Sequence, residues 1–464
     1  MKRNRLLCAV MTLTLLMQGC AGTDIVGTAV DEDKIHISMS FWEPGAKNEL
    51  KNAFAEIVND YKTVRPDVEI ELLVQPVQRY SSWIMERQSE SNLPTIMYNE
   101  KANIIKMDKS GLIYHLDKVL EAPNEYQENT VWKEIFDEEK LNYTVDLEGK
   151  LGLAIPLSSL GLAVYYNKDI YRENGLSVPK TWNEFLGNCA VIEKNGINPI
   201  AFMAQKKDAV NWLQWAICTN AFGKRFLGDG KINIDGNNVI SQFEMANSVA
   251  SGAYDVTVEP YKSTYREYLV MVQQFAKYAH DSIGLDEDGA KEQFINGRAA
   301  HIFTGSWEMT NLLKNDKLEF EAGVVPFPAF TEENTAYGGE QLTIRTTTCL
   351  AVTKMQGETE TTPEQEAAVD FLKFLTSKKE YSKYAANTGT IPTVKGIESE
   401  SDWKSFEGTA SAIEMFSIGN YDGSYAVTMR AIAGDIDLDD NAVYAEAQKG
   451  NMNFADNYFS QRPQ

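Results

Sequence analysis

Residues 152–187 read GLAIPLSSLGLAVYYNKDIYRENGLSVPKTWNEFLG. Pro156 and a short apolar run lead to Tyr166-Asn167-Lys168-Asp169, and Pro179 stands just before Thr181-Trp182-Asn183-Glu184. Thr181 and Glu184 are three apart, the spacing at which a hydroxyl and a carboxylate satisfy each other's free backbone N–H groups at a helix start. Trp182, Phe185, Leu186 and Cys189 then recur at i, i+3, i+4 and i+7, which puts them on one apolar face. Gly196 stands where a helix C-cap glycine would. The stretch predicts a capped helix within 178–196.

The same logic extends in both directions. Residues 35–42 (IHISMSFW) read as a strand. Leu50, Phe54, Ile57, Val58 and Tyr61 recur at helical spacing, and residues 68–73 (VEIELL) alternate as a second strand. Strand, helix, strand is the opening of a parallel sheet. Toward the C-terminus, residues 363–387 place Pro363 in a first helical turn, then Ala368, Phe371, Leu372 and Leu375 on one face. Strands alternate with helices along the chain, so the class is α/β, without internal repeats.

The chain has 464 residues, too many for one ordinary core, and predicts two domains with extras. Hydrophobic residues at 43% and charged residues at 24% exclude a disordered chain and a multi-span membrane protein. A net charge of −22 repels phosphate backbones and argues against a nucleic-acid partner. Cys189, Cys218 and Cys349 show no disulfide or metal-ligand spacing and read as small buried hydrophobes.

Lys2, Arg3 and Arg5 precede an apolar run from Leu6 to Met17, a dozen residues and too short to span a bilayer. Met17-Gln18-Gly19-Cys20 follows and resembles a bacterial lipobox, in which cleavage before the Cys leaves a residue that carries lipid. An ordinary signal peptide with a chance cysteine is the alternative. The expectation is a signal peptide over 1–19, lipid on Cys20, and a flexible tether over 20–33. No other stretch approaches transmembrane length, which places the protein outside the plasma membrane and tied to it, or in the periplasm if the host has an outer membrane.

Four segments carry a family resemblance: the Tyr166–Asp169 and Pro179–Glu184 pair, residues 294–308 (FINGRAAHIFTGSWE), Val324–Pro328 with Gly338-Gly339, and residues 367–394 (AAVDFLKFLTSKKEYSKYAANTGTIPTV). In order and spacing they are similar to the family 1 extracellular solute-binding proteins, the maltose-binding-protein-like group of ABC importers. The resemblance covers about residues 35 to 450. It implies a two-lobed α/β fold of the periplasmic-binding-protein type II, with three hinge crossovers and a cleft between lobes. Lobe one would take 34–156 and 343–389, and lobe two 160–338 and 394–464. The crossovers would fall near Leu157–Gly161, Gly339–Leu342 and Thr390–Val394. Gly161 and Gly339 suit segments whose backbone angles must change, or are ordinary turn glycines. Leu93-Pro94-Thr95-Ile96 departs from the family's usual Pro-Asp-Val, which sets the following loop apart from relatives.

The resemblance implies a monomeric binder, not an enzyme, with no cofactor, that hands a sugar or oligosaccharide to ABC permease subunits. Sugars offer apolar C–H faces and polar edges, so a site for them needs aromatic rings on loops beside amide or charged groups. Trp307 lies just past a predicted strand (Ala299–Thr304) and a Gly-Ser pair, where sugar-binding relatives carry a stacking tryptophan. Trp212 falls in Asn211-Trp212-Leu213-Gln214-Trp215, whose counterpart carries stacking aromatics, with Trp215 read as the core member. Trp42 and Glu43 end the first strand, where open α/β sheets place ligands. Tyr98, Asn99 and Glu100 end another. Gly339, Glu340, Tyr421 and Tyr425 complete the candidate set.

Other chemistries lack their signatures. P-loop, dinucleotide, HExxH and GxSxG motifs are absent, and the histidines at 36, 115, 280 and 301 do not pair at metal-ligand spacing. Asp435, Asp437, Asp439 and Glu446 occupy positions 1, 3, 5 and 12 of an EF-hand-like loop, but Asp440 stands where the turn needs Gly. Asp439 or Asp440 reads as the cap of a helix beginning at Ala442. The alternative functions are a membrane-anchored glycan-degrading enzyme using two carboxylates, or a surface adhesin.

Overall fold

A computed structural model describes residues 34–43, 48–142, 144–146, 150–234, 236, 240, 242–279, 283–339, 342–397, 406, 410–411 and 422–460. The signal peptide, Cys20, the tether, Glu340 and Tyr421 lie outside the described residues.

The principal strands are β1 (Ile35–Glu43), β2 (Val68–Pro76), β3 (Ile96–Asn99), β4 (Ile155–Asn167), β5 (Asn198–Ala201), β6 (Ala299–Gly305), β7 (Ala322–Pro326) and β8 (Leu342–Thr353). They lie in one twisted sheet in the order β2-β1-β3-β8-β4-β6-β5, with β7 also paired to β4. β1 and β2 run parallel from Ile35↔Val68 to Glu43↔Pro76, joined by the helix Glu49–Val64. That helix buries Leu50, Phe54, Ile57 and Tyr61, the periodic positions of the sequence.

β4 decides the architecture. Its first half, from Ile155 to Gly161, pairs with β8. Its second half pairs with β6 on one side, from Leu162↔Gly305, and with β7 on the other, from Ala163↔Pro326. The buried apolar residues divide at the same point. Ile155 and Leu157 belong to a core with Phe41, Phe54, Trp132, Leu350 and Phe371. Leu162, Val164 and Tyr165 belong to a second core with Trp182, Phe202, Phe275 and Phe303. A smaller cluster around Tyr80, Trp83, Ile104 and Met107 covers the other face of the first sheet half. β4 thus serves both cores, passing from one to the other between Leu157 and Leu162.

The segment 390–394 crosses at the same level. Ile391 packs in the second core and Val394 in the first, and Ser159 bridges Ile391. The Tyr381 hydroxyl donates to Leu157 O at 2.6 Å, and Thr393 Oγ1 donates to Pro156 O at 2.9 Å. Gly161 and Gly339 are glycine for different reasons. A Cβ at Gly161 would come within 2.9 Å of the Phe406 ring, a close approach, whereas Gly339 holds a φ of +124° that L side chains avoid.

The decisive stretch folds as its spacing predicts. Asn167 Oδ1 accepts from Asp169 N and Ile170 N and caps the helix Lys168–Glu173. Thr181 and Glu184 form a reciprocal capping box for the helix Trp182–Lys194, which buries Trp182, Phe185, Cys189 and Ile192. Residues 363–387 differ from the single periodic run. They form two helices, Pro363–Leu375 and Lys378–Thr388, because Thr376 Oγ1 bonds back to Leu372 O and Ser377 turns extended.

Candidate ligand-binding site

The sequence candidates fall into two aromatic groups, one on each core. In the second core's group, β6 ends at Gly305 and a single turn, Ser306–Glu308, follows. The turn stands at the crossing, because the backbone N–H of Gly161 donates to Ser306 Oγ at 3.2 Å. Trp307 folds its indole back over the strand end. A Cβ on Gly305 would lie 1.9 Å from that ring, so only glycine admits this pose.

Trp212 meets Trp307 edge-on, with ring centroids 4.8 Å apart and planes at 65°. It projects from the first turns of the helix Lys207–Leu227, on the same face as Trp215. Trp212, Trp215 and Trp307 are all partly exposed and rest against the second core, so Trp215 is not distinguished as the core member. Lys206 Nζ lies 5.0 Å from the Trp212 ring centroid, and Lys207 Nζ lies 5.3 Å from that of Tyr425. Burial raises the Tyr425 phenol above its ordinary value, with Asp208 adding to it. These rings offer flat apolar faces beside ammonium groups, a surface suited to a neutral ring with polar edges.

In the first core's group, Trp42 at the end of β1 contacts Tyr98 at 4.6 Å and Tyr80 at 5.1 Å. Tyr80 leads to Trp83 at 6.1 Å, over which Arg87 sits at 5.0 Å. Burial pushes the Tyr98 phenol up to about 12, so it stays protonated as a donor. Sequence reasoning missed Tyr80 and Trp83. The signal was the helix Val77–Ser89, which begins at the end of β2 beside Trp42.

The remaining candidates have local partners. Glu43 accepts from Lys51 N at 2.9 Å and Leu50 N at 3.4 Å, closing the start of the helix Glu49–Val64. Burial raises its carboxyl above the ordinary value against those two bonds. Asn99 is buried, and its Oδ1 accepts from Glu100 N and Asn103 Nδ2. Glu100 is exposed at the start of the next helix. Gly339 donates to Phe330 O at 2.7 Å and is open to solvent.

The acidic stretch 435–446 is occupied by structural contacts. Glu446 pairs with Arg430 at 2.9 Å, Asp439 with Arg266 at 3.1 Å, and Asp440 Oδ1 accepts from Ala442 N at 2.8 Å. Among the described residues no cluster of three His, Cys, Asp or Glu could hold a metal, and no helix is long and apolar enough to cross a membrane.

A sequence profile described as bacterial extracellular solute-binding protein matches residues 56–410. The chain belongs to that family. The multiple sugar-binding protein of Streptococcus mutans serotype c (strain ATCC 700610 / UA159) is 21% identical over 375 residues, covering 80% of this chain and 77% of that one. The sn-glycerol-3-phosphate-binding periplasmic protein UgpB of Escherichia coli (strain K12) is 23% identical over 56% of this chain, which spans 54% of UgpB. Among solved structures, RafE in complex with raffinose matches with a TM-score of 0.65 at 16% identity, covering 91% of this chain and 100% of that one. A chitin oligosaccharide binding protein matches at 0.64 and 18%, with 91% and 100% coverage. The fold of this solute-binding protein is therefore the two-lobed type II fold.

Proposed function

We propose that this solute-binding protein is an extracytoplasmic lipoprotein that captures a sugar or oligosaccharide by lobe closure and delivers it to an ABC permease. The observation that carries the reading is the Trp212–Trp307 pair, held partly exposed one residue beyond the crossing between the cores. Two indole faces at a hinge supply the apolar stacking surface a sugar ring needs. Trp42 on the opposite lobe would close over the other face of the ligand. The relative named for sugars and the neighbours holding raffinose or named for chitin oligosaccharide favour a carbohydrate. The lobe division at 156–160, 338–343 and 389–394, the lipid on Cys20, the monomeric state and the absence of catalysis belong to the same reading.

The test is a thermal-shift panel of raffinose, chitin oligosaccharides, maltodextrins and sn-glycerol 3-phosphate, with turnover followed in parallel. A ligand at 100 times its Kd adds about 2.7 kcal/mol of stability. A carbohydrate should raise the melting temperature and be recovered unchanged. Stabilisation by sn-glycerol 3-phosphate alone, or cleavage of the glycan, would overturn the reading.

A further inference from the structure

Behind the two indoles runs a chain of alternating charges drawn from three separate elements. Lys206, just before the helix Lys207–Leu227, pairs with Glu287. Glu287 opens the helix Glu287–Ile295 and pairs with Lys291 one turn on, at 2.9 Å. Lys291 reaches Glu308 at 2.7 Å. Each end of the chain touches the aromatic pair: Lys206 Nζ stands over the Trp212 ring, and Glu308 is the residue after Trp307.

The chain is shielded enough to matter. The Glu308 side chain is 8% exposed and that of Lys291 22%. Burial disfavours both charges of the central pair, yet the lysines hold the Glu287 carboxyl below its ordinary value and the glutamates hold Lys291 above its own. Among the described residues, Glu308 is bonded by Lys291 and, at 3.4 Å, by Asn311 Nδ2. A carboxylate stripped of its cation in such a place turns toward water rather than stay unpaired. Glu308 closes the three-residue turn that carries Trp307, so its ion pair with Lys291 ties that turn to the helix Glu287–Ile295.

We propose that the chain Lys206–Glu287–Lys291–Glu308 sets the mutual geometry of Trp212 and Trp307, with Lys291 as the positioning residue for the stacking surface. The proposal rests on the reading of that pair as the ligand platform, but it has a readout independent of any ligand. Indoles 4.8 Å apart at 65° couple their excited states and give a paired band in far-ultraviolet circular dichroism. Trp212→Phe and Trp307→Phe should each remove the same band, which assigns it.

Lys291→Met should then diminish the band, and Lys291→Arg, which keeps the charge, should restore it. Raffinose and chitin oligosaccharide affinity should fall about tenfold in Lys291→Met, the lower end of what outer-shell partners contribute at other sites. If Lys291→Met does not fold, Glu287→Gln severs the same chain on a more exposed side chain and should give the same spectral loss. A band of full intensity in either severed variant would overturn the proposal, whether or not a carbohydrate binds. If the band behaves as stated while Trp307→Ala leaves affinity intact, the ligand platform fails and the positioning chain stands.

Discussion

Trp307 and His301 stand six residues apart on β6 and its turn, under opposite demands. Trp307 is partly exposed at the crossing, so Trp307→Ala should weaken ligand binding more than it weakens the fold. A lost stacked ring costs about 1–3 kcal/mol, or about 5- to 150-fold in affinity, against about 3–5 kcal/mol of stability for a core tryptophan. Calorimetric binding and a melting curve on the same variant separate the two, and early melting with normal binding would move Trp307 to the core. His301 is fully buried. Its Nδ1–H donates to Pro199 O and its Nε2 accepts from the Tyr171 hydroxyl, both at 2.7 Å, which fixes the neutral ring. Burial lowers its pKa from 6.5 to about 4. Above pH 6.5 both folded and unfolded rings are neutral and the group is silent. Below it the unfolded ring takes a proton that the native ring refuses, so stability falls from pH 6.5 to about 4, by up to about 3 kcal/mol at 1.36 kcal/mol per unit. Denaturant titrations at pH 7 and 4.5 should show this loss, and His301→Gln should remove it; equal slopes in both proteins would contradict it.

Elements place these residues. β6 delivers Trp307 only because Gly305 leaves room for the returning indole. Gly305→Ala should displace the ring and reduce ligand affinity about as far as Trp307→Ala, with the indole band of the wild type lost. Retention of both would show that the ring has another pose. The strands and capped helices were largely legible, since β1, β2 and the helix Trp182–Lys194 answer to local periodicity and cap chemistry. The break after Leu375 was less so: the polar run 376–380 (TSKKE) interrupts the apolar spacing, but polar residues also cover the exposed face of an unbroken helix. The Trp132 indole N–H that fixes Thr376 comes from 244 residues away in sequence.

In the described residues the two large cores meet along β4 and the segment 390–394, and closure between them is the motion the proposed function requires. The anchor belongs to this scale too. Mature protein should begin at a lipidated Cys20 and partition into detergent, and Cys20→Ala should release it or block processing. Mass spectrometry finding an unlipidated N-terminus elsewhere would remove the membrane tether from the proposal.

The sequence alone determined the α/β class, the order of the elements and the aromatic positions, because each is written in local spacing: period two, period 3.6, a capping box, a glycine before an indole. It placed Trp307 and Trp212 in one site through family resemblance, and Trp42 and Tyr98 at strand ends. Only the tertiary structure decided that Glu43 closes a helix, that Asn99 serves its own turn, and that Tyr80 joins Trp42. It alone showed the charges behind the indoles, since Lys206, Glu287, Lys291 and Glu308 come from three elements spread over about a hundred residues. Such contacts leave no periodic trace in the chain, because pairing between elements depends on how they pack and not on the spacing within either one.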